Sequence, residues 1–306
     1  MYINRSGRWR KENIFMKEQY KMIKAYQDNE IWRKSFNDLA MKTFGLDFED
    51  WYQNGYWREN YIPYSILDNH KVIANVSVNQ MKFEEHGVTK HYIQLGTIMT
   101  EEAYRNQGLI RILMEEVKKD YMEKTDGCYL FANDEVQNFY PKFGFKEAIE
   151  YQYKKDIYTV DETSAVQVSM NNKKDWNLLE QAIINSVTNS SFEMKNNMEL
   201  VMFYVTKFMQ ENVYYIKEQN AYVIAEIENE TVLLHHIFAD RVVDVERIGK
   251  AFGKEMKHMI LGFTPLQKDG YEIAIRKEED TTLFLLGIET EQFQKEEKMF
   301  PTLSHA

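Results

Sequence analysis

The sequence has 306 residues, of which 44% are hydrophobic and 28% are charged, so it is long enough for one large or two medium folded domains. Its 4 prolines and 13 glycines argue against a low-complexity chain. The formal net charge of −10 argues against a nucleic-acid binder, because that class needs a basic face to displace counterions from phosphates.

Cys128 is the single cysteine, which excludes an internal disulfide and a cysteine-based zinc site. It lies in the apolar run 128–132, so we expect a buried strand residue rather than a nucleophile. The basic residues near the amino terminus precede no apolar stretch, and no run of about 18 apolar residues occurs. We therefore expect no signal peptide, no membrane contact and a cytoplasmic location.

The first half of the chain is predicted to begin with a helix and to continue as an antiparallel meander. Apolar and aromatic side chains recur at helical spacing over 12–45, and Gly45 is a typical helix end. Residues 48–60 mix aromatic and charged side chains, which fits a loop or short helix beside a substrate opening, or ordinary core packing. Alternation and turn residues predict the remaining elements: strands over 64–67, 72–78 and 92–99, a helix over 108–124, a strand over 128–132, a short helix over 135–139 and a strand over 145–153.

Charged residues then interrupt the pattern, which predicts two domains, over 1–158 and 159–306. The second half follows a similar order of elements, which is compatible with an internal duplication. Its predicted elements are helices over 174–186, 197–210 and 243–259, with strands over 213–217, 221–228, 231–238, 259–263, 271–275 and 283–286.

The segment from Ile98 to Arg111 carries the features of an anion site. It runs from a strand end through a polar loop into an amphipathic helix, whose first backbone N–H groups have no intrahelical partner. Gly108 lets the backbone approach a phosphate closely, and Arg105 and Arg111 add cationic donors. Each charge-assisted hydrogen bond contributes about 1.5–3 kcal/mol, so several could hold a pyrophosphate.

Two motifs in this region resemble one known family. Residues 105–110 resemble the Q/R-x-x-G-x-G/A loop with which the GNAT superfamily of N-acyltransferases binds the pyrophosphate of CoA. Residues 133–145 resemble the family's N-x-x-A-x-x-x-Y-x-x-x-G-F segment, with Asn133 and Tyr140 in register. Two motifs at the right separation are more specific than either alone, and the resemblance covers residues 20–155.

The resemblance implies an acyl-CoA site and names its residues. The strand end at Ile98, Met99 and Thr100 would bind the pantetheine arm through its backbone, and Asn133 would line the same cleft. The loop that would hold the pyrophosphate consists of Arg105, Asn106, Gln107, Gly108, Leu109, Ile110 and Arg111. Ile110 stands where the family usually has Gly or Ala, so its side chain could crowd the pyrophosphate.

The resemblance also implies that Tyr140 is the catalytic acid. A free amine attacks the thioester and a thiolate leaves, and a positioned phenol can supply the thiolate's proton. The alternative role for Tyr140 is that of a buried helix aromatic. No general base is evident, because Glu101 and Glu102 are equally well explained as solvated side chains.

The predicted fold is α/β (mixed), with a mainly antiparallel GNAT-type sheet flanked by helices and a second, degenerate GNAT-like lobe. The predicted activity is acetyl transfer from acetyl-CoA to a primary amine of a small molecule or peptide, by direct attack in a ternary complex. Two alternatives stay open: a non-catalytic acyl-CoA-binding regulatory protein, and a GNAT-fold transferase with a different acyl donor. No metal site is expected, and neither the acceptor nor the oligomeric state can be read from the sequence.

Overall fold

The computed structural model describes residues 19–305. The first part of this range supplies most of one sheet and the helices on its two faces. Its elements are β1 (Tyr20–Lys24), α1 (Glu30–Phe44), α2 (Glu49–Gln53), β2 (Tyr61–Asp68), β3 (Lys71–Glu85), β4 (Val88–Thr100), α3 (Leu109–Tyr121), β5 (Gly127–Ala132), β6 (Lys146–Ala148) and β7 (Tyr151–Asp156).

The second part supplies most of another sheet and its helices. Its elements are β8 (Ala165–Gln167), α4 (Lys173–Asn185), β9 (Phe192–Lys195), α5 (Met198–Lys207), β10 (Val213–Ile216), β11 (Ala221–Glu228), β12 (Thr231–Ala239), α6 (Val245–Lys250), β13 (His258–Leu261), β14 (Glu272–Ile275), β15 (Thr282–Leu286) and α7 (Thr290–Lys295).

The two sheets repeat one pattern of strand pairing. The first has the order β1-β2-β3-β4-β5-β15-β6, with β9 added along β3, and the second has the order β8-β10-β11-β12-β13-β7-β14. In each row the fourth and fifth strands are parallel and every other pair is antiparallel. The predicted mixed fold with a second lobe of the same type is therefore confirmed.

The lobes exchange one strand each. β15, late in the chain, fills the sixth position of the first sheet, and β7 fills the sixth position of the second. The predicted strand over 145–153 is accordingly two strands, β6 and β7, that belong to different sheets. The predicted domain boundary between residues 158 and 159 stays a prediction.

The first sheet is covered on both faces, which explains why β3 is buried at every position over residues 72–79. Val72 packs in the same core as Phe36 of α1, whereas the next residue, Ile73, packs with Leu113 of α3 on the opposite face. Successive strand residues point to opposite faces, so a strand between two helical layers is buried at successive positions.

The amino-terminal end differs from its prediction. Residues 20–24 form β1, which pairs with β2, instead of continuing a helix. Helix α1 begins only at Glu30, because the Asn29 side chain accepts from the Trp32 amide at 3.2 Å and caps it. Gly45, with φ of 69°, ends the helix as expected. Residues 12–18 of the predicted helix lie outside the described residues.

Among residues 19–305, no helix combines the length and the apolar character needed to cross a bilayer.

Candidate functional site

A cleft opens where β4 and β5 separate. The two parallel strands pair from Tyr92 and Gly127 as far as Gln94 and Tyr129, and this pairing stops three residues before β5 ends at Ala132. Beyond that point the remainder of β4 and the end of β5 diverge. Backbone groups of β4 that would otherwise bond to β5 therefore face the cleft and can bind a ligand.

A bulge in β4 shapes this cleft. β4 pairs with β3 through Gly96 and again through Met99, and the two residues between them fall out of register. Thr97 has φ of 47°, and its carbonyl oxygen accepts from Asn75 Nδ2 at 2.9 Å. This contact holds the bulge open. Ile98 is half-buried and lines the cleft, whereas the Met99 side chain is buried in the core.

The loop that precedes α3 has a backbone conformation suited to binding an anion. Asn106 has φ of 62° and Gly108 has φ of 76°, and Gly108 is the N-cap of α3 without a side chain to satisfy the first amides. The Nε of Arg105 lies 3.5 Å from the Thr100 carbonyl oxygen, and Tyr20 donates to Gln107 Oε1 at 3.2 Å. These contacts hold the loop against β4 and β1.

The start of α3 offers backbone amides rather than side chains to a ligand. Leu109 is buried, and Ile110 is partly buried against the same apolar core. The branched Ile110 side chain thus has a packing role that leaves its amide on the helix terminus. The 13 residues of α3 align their dipoles, which adds partial positive charge at this end.

The equivalent helix of the second lobe is closed to anions. Between β12 and β13, α6 begins after Asp244, whose carboxylate accepts from the amides of Glu246 and Arg247 at 3.0 and 3.2 Å. The carboxylate both satisfies the amides and supplies negative charge. Of the two equivalent helix ends, only that of α3 is left uncapped by a side chain.

Asn133 and Tyr140 lie on the β5 side of the cleft. Asn133 follows β5, and its carbonyl accepts from the Val136 amide at 3.0 Å. Tyr140 begins a short 3-10 turn, and its ring packs 5.7 Å from Phe284 of β15. Burial raises the pKa of Tyr140 to about 12, so its hydroxyl stays protonated near neutral pH. The strand exchanged from the second part of the chain therefore helps to place this tyrosine.

The cleft leads into a cavity of about 490 Å³. Its lining includes three residues predicted from the sequence, Ile98, Asn133 and Tyr140, and these are brought together. The Arg105–Arg111 loop does not contribute to this lining and lies outside the cavity. The other lining residues are Thr43, Phe44, Leu46, Phe48, Trp51, Tyr61, Leu95, Gly96, Thr97, Phe131, Glu135, Val136, Leu200, Phe203, Tyr204, Phe208 and His305.

Several of these residues carry no signal in the sequence. His305 stacks on Phe131 with ring centroids 3.7 Å apart, and its carbonyl oxygen accepts from the Tyr204 hydroxyl. Its Nε2 is buried without a hydrogen-bond partner, and burial lowers the pKa of the ring well below its usual value. The aromatic run 48–60, predicted to lie beside a substrate opening or in the core, does reach this site, since Phe48 and Trp51 are both buried and part of the wall.

One group of described side chains has metal-ligand geometry, namely Glu85, His86 and Glu296. The Lys298 ammonium forms ion pairs with both carboxylates. This cation neutralises the charge that a metal ion would need, so the group is better described as an ion-pair cluster.

Comparison with known proteins finds a family match over part of the chain. The sequence model for the acetyltransferase (GNAT) family matches residues 25–145, which contain both the splayed strands and Tyr140. The chain therefore contains a domain of the GNAT family at these residues. No curated protein matches the chain in sequence.

Solved structures share the fold over most of the chain. A probable N-acyltransferase from Enterococcus faecalis V583, otherwise of unknown function, has TM-score 0.60 and 15% identity, covering 87% of this chain and 71% of that one. Eis1 from Mycobacterium abscessus has TM-score 0.54 and 12% identity over 86% and 72%. A GCN5-related N-acetyltransferase from Kribbella flavida has TM-score 0.53 and 11% identity over 88% and 72%. At these identities the likeness is one of fold, and it extends through both lobes.

Proposed function

We propose that the chain transfers an acetyl group from acetyl-CoA to a primary amine by direct attack in a ternary complex. The observation that carries the proposal is the cleft between β4 and β5, where the uncapped amino terminus of α3 follows the end of β4 and Tyr140 lies in the cavity lining. Family membership of residues 25–145 supports acyl transfer, while the acetyl donor and amine acceptor are the proposal's own content.

The site fits an acyl-CoA on the evidence of its backbone. The open helix end and the left-handed Gly108 offer amides to a pyrophosphate without steric obstruction. The bulged segment Ile98–Thr100 presents strand backbone to an extended arm. Asn133 is exposed on the opposite side and lines the same cleft. Arg105 adds a guanidinium beside the α3 terminus, suited to phosphate oxygens.

The chemical step requires one proton donor from the chain. The amine nitrogen bonds to the thioester carbonyl carbon, the carbon–sulfur bond breaks, and the amine releases its extra proton to water. The thiolate then takes a proton from the Tyr140 hydroxyl, and the resulting phenolate regains a proton from water. Because the pKa of Tyr140 is raised to about 12 by burial, the hydroxyl is protonated when the sulfur departs.

Direct transfer is favoured over a covalent enzyme intermediate. Cys128, the second residue of β5, is 1% exposed, and burial raises the pKa of its thiol. A thiol must be deprotonated and accessible to attack a thioester, and Cys128 is neither. The acceptor amine therefore has to meet the thioester itself.

The first test is ligand-dependent stability. Acetyl-CoA at about 100 times its dissociation constant adds about 2.7 kcal/mol to the unfolding free energy, and the shift should vanish in the Arg105→Ala/Gly108→Trp double variant. Arg247→Ala on α6 is the matched control, since it changes an exposed arginine at the equivalent helix of the second lobe. No shift in the folded wild type at millimolar acetyl-CoA would refute the proposal. A shift without acyl transfer to any amine would favour a non-catalytic acyl-CoA-binding protein.

The acceptor is proposed to be a small-molecule or peptide amine, with no nucleic-acid or membrane partner. A cytoplasmic location stays a prediction.

A further inference from the structure

We infer that the acceptor amine is carried on an uncharged, flat apolar body, as in an arylalkylamine, and that the second lobe supplies one wall of its site. This inference rests on the proposed function, because it assigns the acceptor to the part of the 490 Å³ cavity that lies beyond the acyl group. A volume of this size lies within the usual range for small-molecule sites.

The cavity wall is a set of aromatic rings contributed by both parts of the chain. Phe48, which precedes α2, stacks on Phe203 of α5 with ring centroids 5.3 Å apart and planes within 6°. Trp51 meets the same Phe203 ring edge-on at 5.4 Å. Its indole N–H donates to the Glu199 carbonyl at 2.8 Å, which fixes α2 against the start of α5. This wall is rigid and apolar before any ligand binds.

Two further aromatic rings are left open to solvent at this cavity. Phe44 at the end of α1 is 42% exposed, and Phe208 after the end of α5 is 52% exposed. Both line the cavity, one from each part of the chain. Exposed aromatic rings facing a common space are a mark of a binding site, because a flat apolar ligand that covers them removes apolar area from water.

The charge of the lining excludes other acceptor classes. Among its residues Glu135 is the only carboxylate, and there is neither a lysine nor an arginine. An amino acid or a phosphorylated amine would place its anionic group without a cationic partner. A polyamine or an aminoglycoside would bury several ammonium groups against a single carboxylate, which costs more than the aromatic faces can return.

One amine group can still be accommodated, and it reacts as the free base. The Nε2 of His305 is buried in this lining without a partner, and Glu135 supplies one carboxylate. These two groups suffice to receive a single polar amine head, while the rings receive its body. The cavity thus matches an amphipathic molecule with one basic end.

The experiment compares amines in the same acyl-transfer assay and in direct binding. The probes are 2-phenylethylamine and tryptamine as aromatic amines, spermidine and kanamycin as polycations, and glycine as an amino acid. The variant is Phe208→Ala, and the control is Tyr158→Ala, which removes a ring that is 78% exposed and outside the cavity lining. We expect the aromatic amines to have the highest kcat/KM. Phe208→Ala should raise their KM about tenfold and leave kcat and the acetyl-CoA KM unchanged.

Two outcomes separate the inference from the proposed function. Transfer that prefers spermidine, kanamycin or glycine, or a Phe208→Ala effect equal for every amine, overturns the inference and leaves the acetyltransferase intact. Binding of 2-phenylethylamine to the CoA-loaded protein, weakened by Phe208→Ala but without CoA release from acetyl-CoA, supports the inference and overturns the proposed function. If 2-phenylethylamine at millimolar concentration neither binds the CoA-loaded protein nor reacts, the inference is wrong.

Discussion

The substitution Gly108→Asp would give α3 the kind of carboxylate cap that α6 has in the second lobe. In the second lobe Asp244 caps α6 with its carboxylate, whereas Gly108 leaves the start of α3 open. An aspartate at position 108 would put a negative charge next to the amides that we assign to the pyrophosphate. We expect the affinity for CoA to fall, because the new carboxylate both occupies these amides and repels the phosphates.

The magnitude follows from the charge separation. Two unit charges about 6 Å apart repel by about 0.7 kcal/mol in bulk water and about 2.8 kcal/mol at an effective dielectric of 20. The loop at residues 105–108 is exposed, so each phosphate charge contributes a value near the lower end. A pyrophosphate carrying two charges then loses about 1.4 kcal/mol or more, which is a tenfold or larger rise in the dissociation constant.

Gly108→Asn is the matched control, since Gly108 has φ of 76° and both residues bear the same strain there. Isothermal titration with CoA should give a dissociation constant at least tenfold higher for the aspartate variant than for the asparagine variant. The gap should narrow as salt is raised from about 0.1 M to about 1 M, because the Debye length shortens from about 10 Å to about 3 Å and screens the repulsion. Equal affinities for the two variants would refute the assignment of the α3 terminus to the pyrophosphate.

Three other results are expected. Tyr140→Phe should lower kcat about 100-fold while the dissociation constant for CoA changes little, measured by steady-state kinetics and titration; an unchanged kcat would remove Tyr140 as the acid. Cys128→Ala should keep its activity, and the folded wild type should resist alkylation, because the thiol is buried with a raised pKa; rapid labelling of Cys128 would contradict this. Burial beside Phe238 lowers the pKa of His236 to about 3, so the unfolded chain binds a proton there that the folded chain does not between about pH 6.5 and 3. The unfolding free energy should therefore fall as pH is lowered through this window, by up to about 1.4 kcal/mol per pH unit, and His236→Gln should flatten the slope in urea titrations; parallel slopes would contradict the assignment.

Local signals in the sequence predicted the cofactor side of the site well. The Gly108 turn, the amphipathic α3 and the run Cys128–Ala132 each follow from a pattern within a few residues, and each appears where expected. The helix end at Gly45 is also local, because a left-handed residue there stops α1. The predicted roles of the individual site residues stay predictions.

Features that depend on distant pairing were not predictable in the same way. β15 inserts between β5 and β6, and no pattern within Thr282–Leu286 specifies partners some 150 residues earlier. The helix predicted over 243–259 shrinks to α6, because Gly253 adopts φ of 94° and the chain then turns into β13. Apolar residues continue at helical spacing through this turn, so periodicity alone predicted a helix that is too long.

The acceptor side of the cavity likewise depends on contacts between residues that are distant in the sequence. Phe203 and Phe208 read as ordinary core residues of an apolar helix, and only the packing of α5 against α2 brings them to the cleft. His305 reaches the cavity because Tyr204 holds its carbonyl and Phe131 holds its ring. Acceptor specificity is therefore built from contacts between the lobes, which one sequence does not reveal.

The central claim is that this cleft moves an acyl group from CoA to an amine without an enzyme intermediate. Mass spectrometry of a reaction with acetyl-CoA and 2-phenylethylamine tests it most directly, because the same experiment measures the masses of the small-molecule product and of the intact protein. We predict N-acetylated amine in equal amount to released CoA, no acetyl group on the wild-type chain, and strongly reduced product with Tyr140→Phe. An acetylated protein, or CoA binding without acetylated product from any amine in the panel, would contradict the account.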